Sequence, residues 1–163
     1  MSTGVELLDI PVEFEFKGKV YKVSRKITFQ MEQMFADWVY NTALDRLERQ
    51  RALARETGQG MTEEQYNKQM DRIADNFSAG KYEWEGSCVQ ESLNQWPGNK
   101  YMMWLRFKRY DPKVEFSLIE EIFNSNSEAR RLARLLNPQP PVAEKEEEAA
   151  AGNKDNQSQP AAS

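Results

Sequence analysis

Residues 80–112 read GKYEWEGSCVQESLNQWPGNKYMMWLRFKRYDP. This segment holds three of the four tryptophans and the only cysteine of the 163-residue chain. Pro97-Gly98 divides it into two apolar patterns with helical spacing, which predicts a third and a fourth helix packed as a two-helix core. Asn99 is expected to cap the fourth helix. The residues assigned to this core are Val89, Leu93, Trp96, Tyr101, Trp104 and Leu105.

Upstream, residues 12–23 read VEFEFKGKVYKV and alternate apolar with polar side chains, the pattern of a half-buried strand. Lys17-Gly18 can form the two-residue loop of a β-hairpin. That register places Phe14 opposite Tyr21, with apolar pairs on one face. Two strands alone are marginally stable in water, so this face must pack on the helices or on another subunit.

From Thr28 the apolar spacing becomes helical. Thr28 can cap a long first helix, which Gly58 ends. Thr62 and Gln65 form a capping box for a second helix. Its apolar stripe consists of Tyr66, Met70, Ile73 and Phe77. Two short helices follow the fourth, so the predicted fold class is mainly α: an N-terminal β-hairpin, a small bundle of about five or six helices, and a disordered C-terminal tail.

The predicted domain organisation has three parts. Residues 1–9 are expected to be a flexible N-terminus, and residues 10–137 a single folded domain with the hairpin at 12–23 and a helical body at 28–137. Residues 138–163, rich in Pro, Ala and Glu, contain one apolar side chain larger than alanine. Such a segment cannot bury enough surface to offset its ordering entropy, so it is expected to be a disordered acidic tail.

The charge balance bears on partners. The chain has a formal net charge of -4, and the tail accounts for -3 of it. The folded part is therefore close to neutral, which gives no general reason to expect nucleic acid or an anionic membrane as a partner. No run approaches the roughly 18 apolar residues of a membrane span. The single cysteine, Cys88, fits a reducing compartment, so we expect a cytoplasmic protein.

The sequence offers little for catalysis. It contains no histidine, which removes the commonest general base and metal ligand. Cys88 therefore has no histidine to activate it as a nucleophile. Asp71 and Asp75 could form half of a metal site, but the further carboxylates that such a site needs are missing. Phosphate-binding and nucleophile motifs are absent. We therefore expect a protein that is not an enzyme and uses no cofactor or metal.

The fourth helix is locally basic, and its aromatic residues alternate with lysine and arginine between residues 100 and 110. One hypothesis is a nucleic-acid surface. The favoured interpretation is structural: the aromatics face the core, and the basic residues form the outer face.

The candidate partner-binding residues come from three sources. Tyr82 and Trp84 lie in a glycine-flanked entry to the third helix and are predicted to be exposed. The methionines of the first helix offer deformable apolar contacts. The arginines of the fourth helix offer charge. The set is Tyr82, Trp84, Met31, Met34, Arg106 and Arg109.

The layout resembles the tail assembly chaperones of long-tailed bacteriophages. The similar segments are VEFEFKGKVYKV leading into KITFQMEQM, GKYEWEGSCVQESLNQWPG with YMMWLRFKRYDPKV, and SLIEEIF followed by SEARRLARLL. The resemblance covers roughly residues 10–137 and is one of element order and composition.

This resemblance implies a non-enzymatic chaperone in the host cytoplasm. It would bind the tape measure protein, help recruit tail-tube protein, and be the short product of a frameshifted gene. Self-association through the hairpin edge is a further expectation. Two alternatives stay open: a structural neck or tail component of the virion, and a small nucleic-acid-binding protein that uses the helix at 100–110.

Overall fold

A computed structural model describes residues 10–138 of the chain. Within this range the prediction of a mainly α fold with an N-terminal hairpin is confirmed. The predicted flexible N-terminus (1–9) and tail (138–163) lie outside the described residues, apart from Pro138. The elements are β1 Val12–Phe16, β2 Lys19–Val23, α1 Phe29–Thr57, α2 Glu63–Ser78, α3 Ser87–Leu93, α4 Trp96–Lys108, α5 Phe116–Asn124 and α6 Asn126–Leu136.

The hairpin has the predicted register. Phe14 pairs with Tyr21, and the strands are antiparallel. Lys17 and Gly18 both have positive φ, 49° and 76°. Positive φ at both loop positions is the geometry of the type I′ turn, whose twist matches that of the flanking strands.

Two hydrophobic cores hold the chain together, and α4 lies between them. The hairpin core joins β1 and β2 to α5, α6 and the end of α4. The helical core joins α1, α3 and α4 around Phe35, which is fully buried. Trp104 of α4 packs against both cores. The alternating strand residues that fill the hairpin core are Val12, Phe14, Phe16 and Val23.

The predicted helix caps of α1 and α2 are confirmed. The Thr28 side chain accepts a hydrogen bond from the Met31 N–H, and Thr62 and Gln65 form the capping box. The apolar stripe of α2 is only partly buried, because the main packing partner of α2 is a single element, α1. Phe77, predicted to lie in that stripe, is exposed, and its ring centroid lies 4.8 Å from that of Tyr40.

The predicted break at Pro97-Gly98 is wrong in detail. α4 begins at Trp96, so both residues lie in its first turn. Proline suits that position because its missing N–H would have no intrahelical partner. Asn99 therefore lies inside the helix, and Gln95 takes the N-cap position.

Gly98 has a packing role at this junction. It is buried, and a Cβ built on it would lie 1.8 Å from the Ser92 carbonyl oxygen of α3. The first turn of α4 therefore approaches the end of α3 closely enough to require a glycine.

The assignment of Trp96 to the core is also wrong. Its side chain is 58% exposed, and one edge contacts Phe123 of α5 with 5.4 Å between ring centroids. The cause is the early start of α4: Trp96 is its first residue, at the outer end of the helix, and not the last apolar position of α3. The other residues assigned to this core are buried or partly buried within it.

Candidate protein-binding surface

Three of the six candidate residues line one groove between the start of α1 and the end of α4. We call it the α1–α4 groove; its volume is about 550 Å³. Its lining residues are Thr28, Phe29, Gln30, Met31, Met34, Leu105, Lys108 and Arg109. The structure thus brings Met31, Met34 and Arg109 together, while Tyr82, Trp84 and Arg106 do not line this groove.

The groove has a buried apolar floor and an exposed apolar rim. Met31 and Leu105 form the floor and are almost fully buried. Phe29 and Met34 form the rim and are 73% and 40% exposed. Met31 therefore belongs chiefly to the helical core and reaches the groove only through its floor. The exposed apolar area available to a partner comes from Phe29 and Met34.

Sequence reasoning missed Phe29. It lies six residues before Phe35, which at 100° per residue puts it about 120° away from the core-facing direction. A large apolar residue that lies off the core-facing stripe of a helix is the sequence signal that indicates an exposed contact. Phe29 is the first residue after the Thr28 cap, and the sequence does not indicate which way the first side chain of a helix points.

The charged groups of the α1–α4 groove are both cationic. Lys108 and Arg109 line its α4 side. The Lys108 ammonium nitrogen also lies 4.3 Å from the centroid of the Trp104 ring, a cation–π distance.

Arg106 and Arg109 hold the segment that leaves β2. The Arg106 Nε–H donates to the Ser24 carbonyl oxygen at 2.8 Å, and its guanidinium also donates to the Arg25 carbonyl. Arg109 donates to the Ser24 hydroxyl at 3.2 Å. Ser24 is fully buried, so the two bonds to Ser24 satisfy polar groups that water cannot reach. Arg106 is half-buried, so the predicted outer basic face is wrong for this residue, whereas Arg109 is exposed as predicted.

Tyr82 and Trp84 are half-buried, so the prediction of exposed aromatics is wrong for both. Trp84 meets Phe35 edge to face at 6.1 Å, and Tyr82 meets Tyr40 at 5.2 Å. Tight turns over residues 80–88, closed by backbone bonds such as Cys88 N–H to Lys81 carbonyl, direct both side chains toward the helical core. Burial, with a smaller effect of Cys88, raises the pKa of the Tyr82 hydroxyl.

A second groove, of about 490 Å³, lies between α4 and α5, with Trp38 of α1 at its side; we call it the aromatic groove. Its lining residues are Trp38, Trp96, Pro97, Lys100, Tyr101, Trp104, Phe116 and Glu120. Of the three groove residues that the sequence assigns to the core, Tyr101 and Trp104 are partly buried in it and also form the groove wall, whereas Trp96 is exposed.

The rings of the aromatic groove are fixed in place. Trp38 stacks on Tyr101 at 4.5 Å, and Trp104 meets Phe116 edge to face at 5.9 Å. The Trp104 indole N–H donates to the Val114 carbonyl oxygen at 3.0 Å. Burial is the main cause that raises the pKa of Tyr101. The groove is thus a preformed aromatic surface in which the Trp104 indole N–H already has a hydrogen-bond partner.

Residues 10–138 contain no cluster of three or more histidine, cysteine or acidic side chains that could hold a metal ion. No helix in the same range is long and apolar enough to cross a membrane. Comparison of the chain with known protein families, curated proteins and solved structures found no match. The arrangement of the two grooves is suited to non-covalent binding.

Proposed function

We propose that the protein is a non-enzymatic assembly chaperone that binds an amphipathic helix of a partner protein in the α1–α4 groove. The observation that carries this proposal is the exposed apolar rim of Phe29 and Met34 above a buried apolar floor. By the resemblance to tail assembly chaperones of long-tailed bacteriophages, the partner is the tape measure protein, and tail-tube protein is recruited afterwards.

The chemistry of the groove defines the partner helix. Its apolar residues would repeat every three to four positions and rest on Phe29, Met34 and the Leu105 floor. Methionine adapts to imperfect repeats, because its unbranched side chain has several accessible conformations. Acidic residues flanking the apolar stripe would pair with Lys108 and Arg109, the two charged residues of the groove.

The proposal is tested by co-expression of the protein with the helical partner. The variant Phe29→Ser/Met34→Ser should leave the partner insoluble and reduce affinity for a partner-helix peptide about a hundredfold, because each lost apolar anchor contributes about 1.5 kcal/mol or more. Leu53→Ser is the matched control, since Leu53 lies on the same helix, is 60% exposed and does not line the groove.

Equal binding by the double variant and the wild-type protein would refute the groove as the site. Stoichiometric protein in purified virions would refute a chaperone role and favour the structural alternative. The nucleic-acid alternative gains no support from Arg106 and Arg109, since both bind the chain around Ser24.

A further inference from the structure

The chain enters the described fold beside the α1–α4 groove. Val12, the first residue of β1, pairs with Val23, so the residues before Val12 leave the hairpin next to Ser24. The Arg109 guanidinium donates to the Ser24 hydroxyl at 3.2 Å, and the same side chain lines the groove. The point of entry therefore lies within the length of one arginine side chain of the groove.

The segment before this point matches the groove in polarity. Residues 5–10 read VELLDI, of which 5–9 lie outside the described residues. Their large apolar side chains are Val5, Leu7, Leu8 and Ile10, and their carboxylates are Glu6 and Asp9. Ile10 is 63% exposed. The groove is complementary to this segment, since its rim is apolar and its charged residues, Lys108 and Arg109, are cationic.

We propose that residues 5–9 of this chain occupy the α1–α4 groove, with their two leucines on the exposed rim and their two carboxylates toward the cationic α4 side. Occupancy is a property of this chain alone, whereas its effect on a partner rests on the helix-binding function proposed above. A partner helix must displace the segment, which therefore lowers the apparent affinity for that helix. Residues 5–9 would then be ordered, in contrast to the flexible N-terminus expected from the sequence.

The segment is long enough to cover the rim. Phe29 and Met34 are five residues apart on α1, which is about 8 Å along the helix axis. Residues 5–9 span about 16 Å when extended. Ile10 and Pro11 add about 7 Å between this segment and Val12, so the chain can reach the groove without disturbing β1.

The C-terminal tail is the less suitable occupant. It is also acidic, but apart from its prolines Val142 is its one apolar side chain larger than alanine. Hydrophobic stabilisation grows with the apolar area removed from water. Two leucines therefore cover the rim of Phe29 and Met34 better than a single valine does.

Oxidation by hydrogen peroxide tests the occupancy without any partner, because an exposed methionine is oxidised faster than a covered one. Tandem mass spectrometry of the full-length chain follows Met34, with the buried Met31 as the internal reference. We expect Met34 to be oxidised several-fold faster in Leu7→Ser/Leu8→Ser than in the wild-type protein.

Two more variants make the oxidation test specific. The charge reversal Glu6→Lys/Asp9→Lys should also speed the oxidation of Met34, because it replaces attraction to the cationic side of the groove by repulsion. Val142→Ser is the matched control in the other terminal segment and should leave the rate unchanged.

Three results would overturn the proposal. The first is equal oxidation of Met34 in Leu7→Ser/Leu8→Ser and the wild-type protein. The second is faster oxidation in Val142→Ser, because the tail would then be the occupant. The third is a wild-type rate that rises on dilution, since the segment would then come from a second copy.

A binding measurement separates this proposal from the helix-binding function. A segment bound in about nine-tenths of the molecules lowers the apparent affinity of the groove about tenfold. Leu7→Ser/Leu8→Ser should therefore bind a helical peptide of leucine, alanine and glutamate about tenfold more tightly in calorimetry. Faster oxidation of Met34 with unchanged peptide affinity would support the occupancy and count against helix binding in this groove.

Discussion

The close approach at Gly98 gives a prediction with a magnitude set by the structure. An alanine Cβ at this position would lie 1.8 Å from the Ser92 carbonyl oxygen, 2.6 Å from its carbon and 3.3 Å from a Phe35 ring carbon. The nearest atoms are backbone, so no rotamer change relieves the overlap. The end of α3 must move by about 1 Å or more, or the first turn of α4 must unwind.

We expect Gly98→Ala to lower the free energy of unfolding by about 3 kcal/mol or more, the upper end of overpacking costs. This loss is a large fraction of the 5–15 kcal/mol typical of a domain. Denaturant unfolding followed by circular dichroism measures it directly.

Gly58→Ala is the matched control. Gly58 ends α1 with φ +68° and has nothing within 4 Å of a built Cβ. Its cost is backbone strain alone, about 1–2 kcal/mol. A Gly98→Ala variant that is no less stable than Gly58→Ala would show that α3 and α4 do not meet in the way described.

Two further predictions concern charged side chains. Hydrogen bonds from Arg51 and then Arg55 hold the pKa of the Glu63 carboxyl below its ordinary value of 4.5. The ionised carboxylate therefore stabilises the folded protein above pH 4.5, and this contribution is lost as the pH falls through the folded-state pKa. Glu63→Gln should therefore flatten the acid limb of stability in urea melts, and an unchanged slope would contradict the pairing. Arg106→Met should lower the free energy of unfolding by about 2 kcal/mol, because it removes a charged hydrogen bond to buried Ser24. Lys113→Met, at an exposed site, should lower it little. Equal melting temperatures for the two variants would refute the anchoring role of Arg106.

The features predicted correctly from the sequence are determined by neighbouring residues. The register of the hairpin follows from the alternation of VEFEF and the two-residue loop at Lys17-Gly18, so no distant contact is needed to fix it. The caps at Thr28 and Thr62 are likewise local, because each hydroxyl accepts a bond from an N–H three residues away.

The wrong predictions depend on contacts between distant residues. Periodicity identifies Phe29 and Trp96 as apolar, but it does not indicate which apolar side chains another element will cover. Pro97 can end one helix or begin the next, and the contact of Gly98 with Ser92 favours the second. The candidate site is the part least predictable from the sequence. The glycines that flank Tyr82 and Trp84 suggest an exposed loop, but they lie in turns that direct both side chains toward the helical core.

Both grooves use α4, which raises the question of whether they are coupled. Trp96, Lys100 and Trp104 line one groove, while Leu105 and Lys108 line the other. Coupling requires an element with two arrangements that each ligand favours differently. Within residues 10–138, α4 packs against both cores, and Trp104 is fixed by its bond to the Val114 carbonyl.

A helix held on two sides offers no second arrangement of low energy, since close-packed cores deform little. We therefore expect a change in the aromatic groove to leave binding in the α1–α4 groove unaffected. Trp96→Phe should leave the affinity of the α1–α4 groove for a helical peptide unchanged, as measured by calorimetry. Lys108 links the two grooves, because its ammonium group lies over the Trp104 ring while its side chain lines the α1–α4 groove. If Trp96→Phe altered that affinity, Lys108→Met in the same background should abolish the difference.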